Sequence, residues 1–234
     1  MTSRATLQSV RAPTLLCIVA LAAFVLARPA HAGAQAEEYL APSVVAGLAA
    51  AVADQPVPQD YARRADVKPW IDDMSRRLAA RVPNEAERID LLATVHYEAT
   101  RAALDPELVL AVIHHESGFH KYAVSSADAR GYMQVMPFWT RLIGSASQNL
   151  FHLRVNLRYG CTILRHYLGL EGGDVPRALA RYNGSLGRAE YPNAVMAALM
   201  RYRTVVVPPS YTASAVPAQQ PAFTLTTVGA APAR

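Results

Sequence analysis

Residues 105–118 constrain the fold most, because both ends of one helix can be located within them. Asp105 can cap a helix, and Pro106 suits the first helical position, where its missing N–H costs no hydrogen bond. The apolar stripe consists of Leu108, Val109, Val112 and Ile113. Gly118 is a natural stop. Glu116 lies four residues after Val112, so the spacing places its carboxyl group near the apolar face.

The rest of the chain shows the same helical pattern. Further helices are predicted to begin near Pro69, Asn84, Pro137, Val155, Asp174 and Pro192. A short helix over residues 46–52 is expected in an Ala-rich segment, with a disordered or loosely packed extension as the alternative, because alanine buries little area. Strand patterns are weak throughout. The sequence therefore predicts a mostly α domain with little or no sheet.

The N-terminal segment has the features of a signal peptide. Arg4 and Arg11 precede an uncharged apolar run, and the small-x-small triplet Ala30-His31-Ala32 follows it. The run is shorter than the roughly 20 residues that a bilayer-spanning helix needs. We therefore expect residues 1–32 to be cleaved after Ala32, leaving a periplasmic chain without a transmembrane span.

Composition divides the remaining chain into three parts. Residues 33–65 form an Ala/Pro-rich extension, and residues 66–206 carry the helical patterns of a single folded domain. Residues 207–234 are rich in Pro and Ala without a core-forming pattern, so we expect a disordered tail.

The charge distribution argues against a nucleic-acid partner. The chain has 23 Lys and Arg against 18 Asp and Glu, but Arg4, Arg11 and Arg28 belong to the predicted leader, so the mature chain is nearly balanced. The basic residues are concentrated in the second half: residues 33–120 carry 8 basic and 14 acidic residues, whereas residues 121–203 carry 11 and 4. A basic half suits an anionic polymer, although a solvated mixed surface has the same composition.

Metal-ion and thiol chemistry are not favoured by the spacing. His114, His115 and His120 surround Glu116, but zinc-binding His residues on one helix face lie four apart, whereas His115 and His120 lie five apart. Cys161 is the lone cysteine of the mature chain and suits a small buried apolar position. We therefore predict no metal and no cofactor.

Glu116 is the candidate acid, on two physical grounds. Burial beside the apolar stripe disfavours the charged carboxylate, and the negative end of the helix dipole opposes it as well. Both effects raise a carboxyl pKa toward neutrality. A glutamate exposed to solvent at a helix end gives the same spacing, so the pattern alone leaves this alternative open.

Several short sequence blocks, in their order along the chain, resemble those of the soluble lytic transglycosylase family of peptidoglycan-cleaving enzymes. They lie at residues 113–119 (IHHESGF), 123–125 (AVS), 129–137 (ARGYMQVMP), 156–160 (NLRYG) and 178–184 (ALARYNG). The resemblance covers roughly residues 90–200. It implies a lysozyme-like helical fold, related to goose-type lysozymes, and cleavage of the β-1,4 bond between N-acetylmuramic acid and N-acetylglucosamine.

The resemblance also implies the site. Glu116 takes the catalytic position, first as acid and then as base, and the product carries a 1,6-anhydromuramic end. The implied substrate-binding residues are Ser117, Ser125, Gly131, Tyr132, Gln134, Met136, Tyr182 and Asn183. Tyr132 replaces the Leu more common in the family, which can narrow or polarise the groove. The implied partner is the peptidoglycan glycan strand.

Two alternatives remain. A hydrolytic muramidase uses two carboxyl groups flanking the bond, and Asp128 is the nearest second candidate, although a solvated loop position suits it better. A non-catalytic glycan-binding module, serving a cell-envelope assembly or secretion apparatus, keeps the fold without turnover. The presence of Glu116, Ser117, Gln134 and Tyr182 together favours an active enzyme.

Overall fold

The structure is a computed structural model that describes residues 35–53 and 55–203. The predicted signal peptide (1–32) and the predicted tail (207–234) lie outside the described residues. The division at residue 66 between an extension and the catalytic domain remains a prediction.

The described residues form eight α-helices and one short 3₁₀ helix, Tyr61–Arg63. The α-helices are α1 Pro42–Val52, α2 Lys68–Leu78, α3 Glu85–Arg101, α4 Pro106–Glu116, α5 Phe138–Ile143, α6 Leu153–Leu170, α7 Val175–Tyr182 and α8 Glu190–Tyr202. Extended pairing in the described ranges is limited to isolated bridges from Arg130 to Val124 and Val135. The prediction of a mostly helical domain with little sheet is confirmed.

Local sequence chemistry explains where several helices begin. The side chains of Asn84, Asp105 and Asp174 accept hydrogen bonds from backbone N–H groups in the first turns of α3, α4 and α7. Pro106 occupies the first turn of α4, as predicted. These caps satisfy N–H groups that a helix leaves without intrahelical partners.

The helix α4 packs against α3 and α8. Its six consecutive residues 108–113 are all buried, so its apolar surface is wider than the predicted four-residue stripe. A helix that is apolar all round has to be enclosed by others. Its C-terminal residue Glu116 is therefore delivered to the end of the core rather than to an open surface.

The helix α1 packs on α5 and α6, which confirms the predicted N-terminal helix and extends its start to Pro42. Arg101 donates from Nη2 to the carbonyl oxygen of Ala51 at 2.6 Å, and Arg158 donates from Nη1 to that of Ala53 at 2.9 Å. Since both arginines belong to core helices, the end of α1 is held by the domain. Across the described ranges, no helix has the length and apolar character needed to span a membrane.

Candidate active site

Glu116 is the last residue of α4 and is partly buried. Its Oε1 accepts a hydrogen bond from the hydroxyl of Tyr191 at 2.6 Å. Burial raises the pKa of the Glu116 carboxyl group to about 7, while the hydrogen bond from Tyr191 acts to lower it. The carboxyl group is therefore balanced between its protonated and charged forms near neutral pH, and its partial exposure leaves it accessible.

The next residue, Ser117, joins the helix end to the loop that follows. Its Oγ donates to the carbonyl oxygen of Tyr132 at 2.8 Å and lies 3.2 Å from that of Ile113. The side chain is buried, so these contacts are shielded from water. Ser117 thus fixes the position of the loop relative to Glu116.

The loop at residues 130–133 is held on α6 by Asn156. Its Nδ2 donates to the carbonyl oxygen of Arg130 at 2.7 Å and to that of Leu150 at 2.9 Å, and its Oδ1 accepts from the backbone N–H of Met133 at 2.8 Å. Asn156 is fully buried. One asparagine side chain therefore fixes the loop at both ends.

Two glycines make this attachment possible. Gly131 has φ of +74°, and a Cβ there would lie 2.5 Å from Asn156 Nδ2. Gly160, one turn after Asn156 on α6, leaves space that the side chain of Met133 occupies. The Asn-x-x-x-Gly block thus has a packing reason: the asparagine binds the loop and the glycine lets it approach.

Gln134 and Tyr182 support the same loop. Gln134 has φ of +49° and directs its Nε2 at the carbonyl oxygens of Gly131 and Ala123, at 2.9 and 3.1 Å. The buried hydroxyl of Tyr182 donates to the carbonyl oxygen of Met133 at 2.7 Å. Burial, followed by the charge of Glu116, raises the pKa of Tyr182, which therefore stays neutral and acts as a hydrogen-bond donor.

The remaining predicted site residues are less closely tied to Glu116. Ser125 accepts from the backbone N–H groups of Ala127 and Ala129 within its own turn, at 3.2 and 3.0 Å. Asn183 donates from Nδ2 to Ser185 Oγ at 3.1 Å. The buried ring of Tyr132 extends toward α3: burial raises the pKa of Tyr132 to about 12, helped by the nearby charges of Glu87 and Asp90.

Asp128 lies in an exposed turn with φ of +67°. Its two carboxylate oxygens accept from Nε and Nη2 of Arg130, each at 3.0 Å. An exposed carboxyl group with both oxygens bound by one guanidinium suits the loop role more than that of a second acid.

Tyr191, the hydrogen-bond partner of Glu116, was not predicted from the sequence. The two residues are 75 positions apart, and the last predicted helix began at Pro192, one residue after Tyr191. His115 stacks edge-on against the ring of Tyr191, with 4.9 Å between centroids, and His114 binds the hydroxyl of Tyr202 through Nδ1 at 2.6 Å. The two histidines beside Glu116 therefore contact the two tyrosines of α8.

Comparison with known proteins agrees with this picture. The family described as Transglycosylase SLT domain matches residues 94–197. A transglycosylase of Enterobacteria phage PRD1 is 32% identical over 110 residues, covering 44% of this chain and 40% of the phage protein. The chain thus matches less than half of that relative's length.

A solved structure, an inactive mutant of the lytic transglycosylase Slt from Pseudomonas aeruginosa, has 22% identity and a TM-score of 0.43, covering 61% of this chain and 29% of that one. Residues 94–197 of this chain therefore resemble the Transglycosylase SLT domain. The resemblance found in the sequence blocks is confirmed.

Proposed function

We propose that the protein is a peptidoglycan lytic transglycosylase with Glu116 as its only catalytic carboxyl group. The observation that carries the proposal is the partly buried Glu116 carboxyl, whose pKa is raised to about 7 by burial and which is oriented by Tyr191. A general acid that must later act as a base works best with a pKa near the working pH.

In the proposed reaction, Glu116 donates one proton and later accepts another. Protonated Glu116 donates to the glycosidic oxygen between N-acetylmuramic acid and N-acetylglucosamine, and the bond to the anomeric carbon breaks. The 6-hydroxyl oxygen of the muramic acid bonds to that carbon, and its proton passes to the Glu116 carboxylate. The product is a 1,6-anhydromuramic end, water is not consumed, and the enzyme returns to its starting protonation state.

The other site residues have supporting roles in this proposal. Tyr191 binds Oε1 and so leaves Oε2 for the sugar. Ser117 and Tyr182 hold the loop carbonyls of Tyr132 and Met133, which fixes the wall beside the acid. Substrate contacts are assigned to Ser117, Ser125, Gly131, Tyr132, Gln134, Met136, Tyr182 and Asn183.

Purified cell-wall sacculi test the proposal, with products identified by mass spectrometry. The wild-type protein is expected to release fragments with anhydro ends, and Glu116→Gln to lose turnover by roughly 10²–10⁴-fold, since an amide cannot transfer the proton. Reducing ends alone would show a hydrolase. Intact sacculi that bind wild type and variant equally would show a binding module.

Glu107 provides the matched control. It lies on α4 as well, burial raises its pKa to about 7, and it accepts from Trp70 Nε1 at 3.0 Å. It lies at the opposite end of the helix, about 13 Å from Glu116 by the rise per residue. Glu107→Gln is therefore expected to keep full turnover, which separates a raised pKa from a catalytic position.

The proposed substrate fixes where the protein works. Residues 1–32 would direct export, and the mature chain would reach peptidoglycan in the periplasm, where cell-envelope assembly or secretion proteins are the proposed partners. Cell fractionation with N-terminal sequencing checks this, and a mature chain beginning at Gly33 is the expected result.

A further inference from the structure

Gln35 lies far from α4 in sequence but is buried beside the candidate site, with 3% of its surface exposed. Its Oε1 accepts from the indole Nε1 of Trp139 at 2.9 Å and lies 3.4 Å from the backbone nitrogen of Met136. Two donors thus converge on one amide carbonyl oxygen. Because Trp139 is also buried, its N–H needs such an acceptor.

We call the space between Trp139 Nε1 and the Met136 N–H the carbonyl pocket. It borders the loop wall beside Glu116. The side chain of Gln35 also interacts with the hydroxyl of Tyr182, and Tyr182 is close enough to feel the charge of Glu116. Met136 and Tyr182 are two of the residues assigned to the glycan groove. The amide of Gln35 therefore lies where a polar group of a bound strand would compete for space.

The segment that carries Gln35 is otherwise weakly attached. Residues 36–39 are exposed, with Tyr39 92% exposed, and Leu40 is partly buried against the core. The ion pair from Glu38 to Arg181 spans 3.5 Å with the Glu38 side chain 45% exposed, and pairs of this kind add little stability. A segment with few buried contacts opens readily, so the buried Gln35 amide is its main anchor.

We propose that the carbonyl pocket is a subsite for an amide carbonyl of the substrate and that Gln35 occupies it from within the chain, so that a bound strand must displace residues 35–40. This rests on the proposed function, because the displacing group is an amide of peptidoglycan. Amide carbonyls occur in the N-acetyl groups of the sugars and in the stem peptides, and both present the same acceptor to Trp139.

Binding measurements in the Glu116→Gln variant, which is expected to bind substrate without turnover, test whether Gln35 and the ligand compete for the carbonyl pocket. With Gln35→Ala, the Kd for a β-1,4-linked N-acetylglucosamine oligomer is expected to fall about tenfold, since a site open in a tenth of molecules binds with a tenth of its intrinsic affinity. Gln59→Ala, a change at an exposed glutamine in the same N-terminal region, should leave Kd unchanged. An equal or weaker affinity for Gln35→Ala with both this oligomer and glycan fragments that carry stem peptides overturns the proposal.

The source of the amide is separated by ligand choice. If the N-acetyl group enters the pocket, the effect of Gln35→Ala disappears with the de-N-acetylated oligomer. If the stem peptide enters it, the effect is seen only with glycan fragments that carry peptides. An effect of the same size with every ligand, including the de-N-acetylated oligomer, excludes an amide subsite and overturns the proposal.

Nuclear magnetic resonance tests the carbonyl pocket without relying on the proposed enzyme function. The chain has two tryptophans, and Trp70→Phe identifies the indole N–H resonance of Trp139. That resonance should shift in Gln35→Ala and shift back when N-methylacetamide is added. If both shifts occur but no glycan binds any variant, the pocket stands and the proposed function fails. A resonance that does not respond overturns the pocket.

Discussion

Two inward-facing glutamates at helix C-terminal turns have opposite surroundings. Glu98 in α3 is fully buried, and its Oε1 accepts from Arg158 Nε and Nη2 at 3.1 and 2.7 Å while its Oε2 accepts from Arg101 Nε at 3.0 Å. Glu116 in α4 meets a neutral phenol instead, the hydroxyl of Tyr191. The first carboxyl group is a structural link held by two guanidinium groups, and the second can exchange its proton.

The comparison of Glu98 with Glu116 shows that burial alone does not make a carboxyl group a functional acid. A carboxylate taken out of water is stabilised in its charged form when guanidinium groups replace the water. Where a hydroxyl is the partner, burial dominates and the pKa rises, as it does for Glu116. The same residue type thus joins helices at one site and is suited to acid–base chemistry at the other.

The largest expected effect concerns the structural carboxylate. Glu98→Gln leaves Arg158 buried without its counter-charge and loosens the attachment of α1, so the free energy of unfolding should fall by roughly 3–5 kcal/mol. Urea unfolding followed by circular dichroism measures this. Asp90→Asn, an exposed change in α3, should cost no more than about 0.5 kcal/mol. A loss below about 1 kcal/mol for Glu98→Gln would contradict the role given to the arginines.

The opposite effect is expected at Glu116. Its pKa is raised from 4.5 to about 7 in the folded protein, so the unfolded chain loses the proton first as pH rises. Below pH 4.5 both states are protonated and the shift costs nothing; above pH 7 the folded state must bury the charge. Glu116→Gln should therefore gain stability over wild type between pH 5 and pH 8, reaching on the order of 3 kcal/mol. Urea midpoints across that range test it, and a difference independent of pH would refute it.

Local features of this site were predictable from sequence, and cross-chain contacts were not. The Asp105 cap, Pro106 and the end of α4 at Glu116 follow from neighbouring residues, whose chemistry acts over one turn. Tyr191 lies 75 positions from Glu116, and Gln35 lies 104 positions from Trp139. Such pairs depend on how the helices pack, which periodicity does not specify.

The motif blocks predicted more than the cross-chain contacts above but less than the local helix signals. They assigned Gln134 and Tyr182 to the groove, whereas the side chains of both residues donate hydrogen bonds to loop carbonyls. Asn156 was noted only as part of a block, although it fixes residues 130–133. The motif blocks therefore predicted which residues surround Glu116, but the hydrogen bonds that support the loop are visible only in the structure.

A smaller effect is expected when the neutral partner of Glu116 is removed. The hydrogen bond from Tyr191 lowers the pKa of Glu116, so Tyr191→Phe should raise that pKa and move the alkaline limb of the kcat/KM profile to higher pH. Loss of one hydrogen bond to a charged group should also reduce kcat about tenfold. Tyr202→Phe removes the other α8 phenol, which binds His114, and should leave the limb in place. An unmoved limb in Tyr191→Phe would mean that Tyr191 only packs.

The smallest effect is expected at Asp128, and it decides whether one carboxyl group is enough. Its side chain is 57% exposed and paired with Arg130, so Asp128→Asn should change stability by less than about 0.5 kcal/mol. Asparagine also tolerates the positive φ at this position. A two-carboxylate hydrolase would need an acid within about 5 to 9.5 Å of the first and would lose activity by orders of magnitude without it. Turnover of sacculi by Asp128→Asn within twofold of wild type would leave Glu116 as the acid that also serves as base, whereas a loss of orders of magnitude would make Asp128 the second acid of a hydrolase.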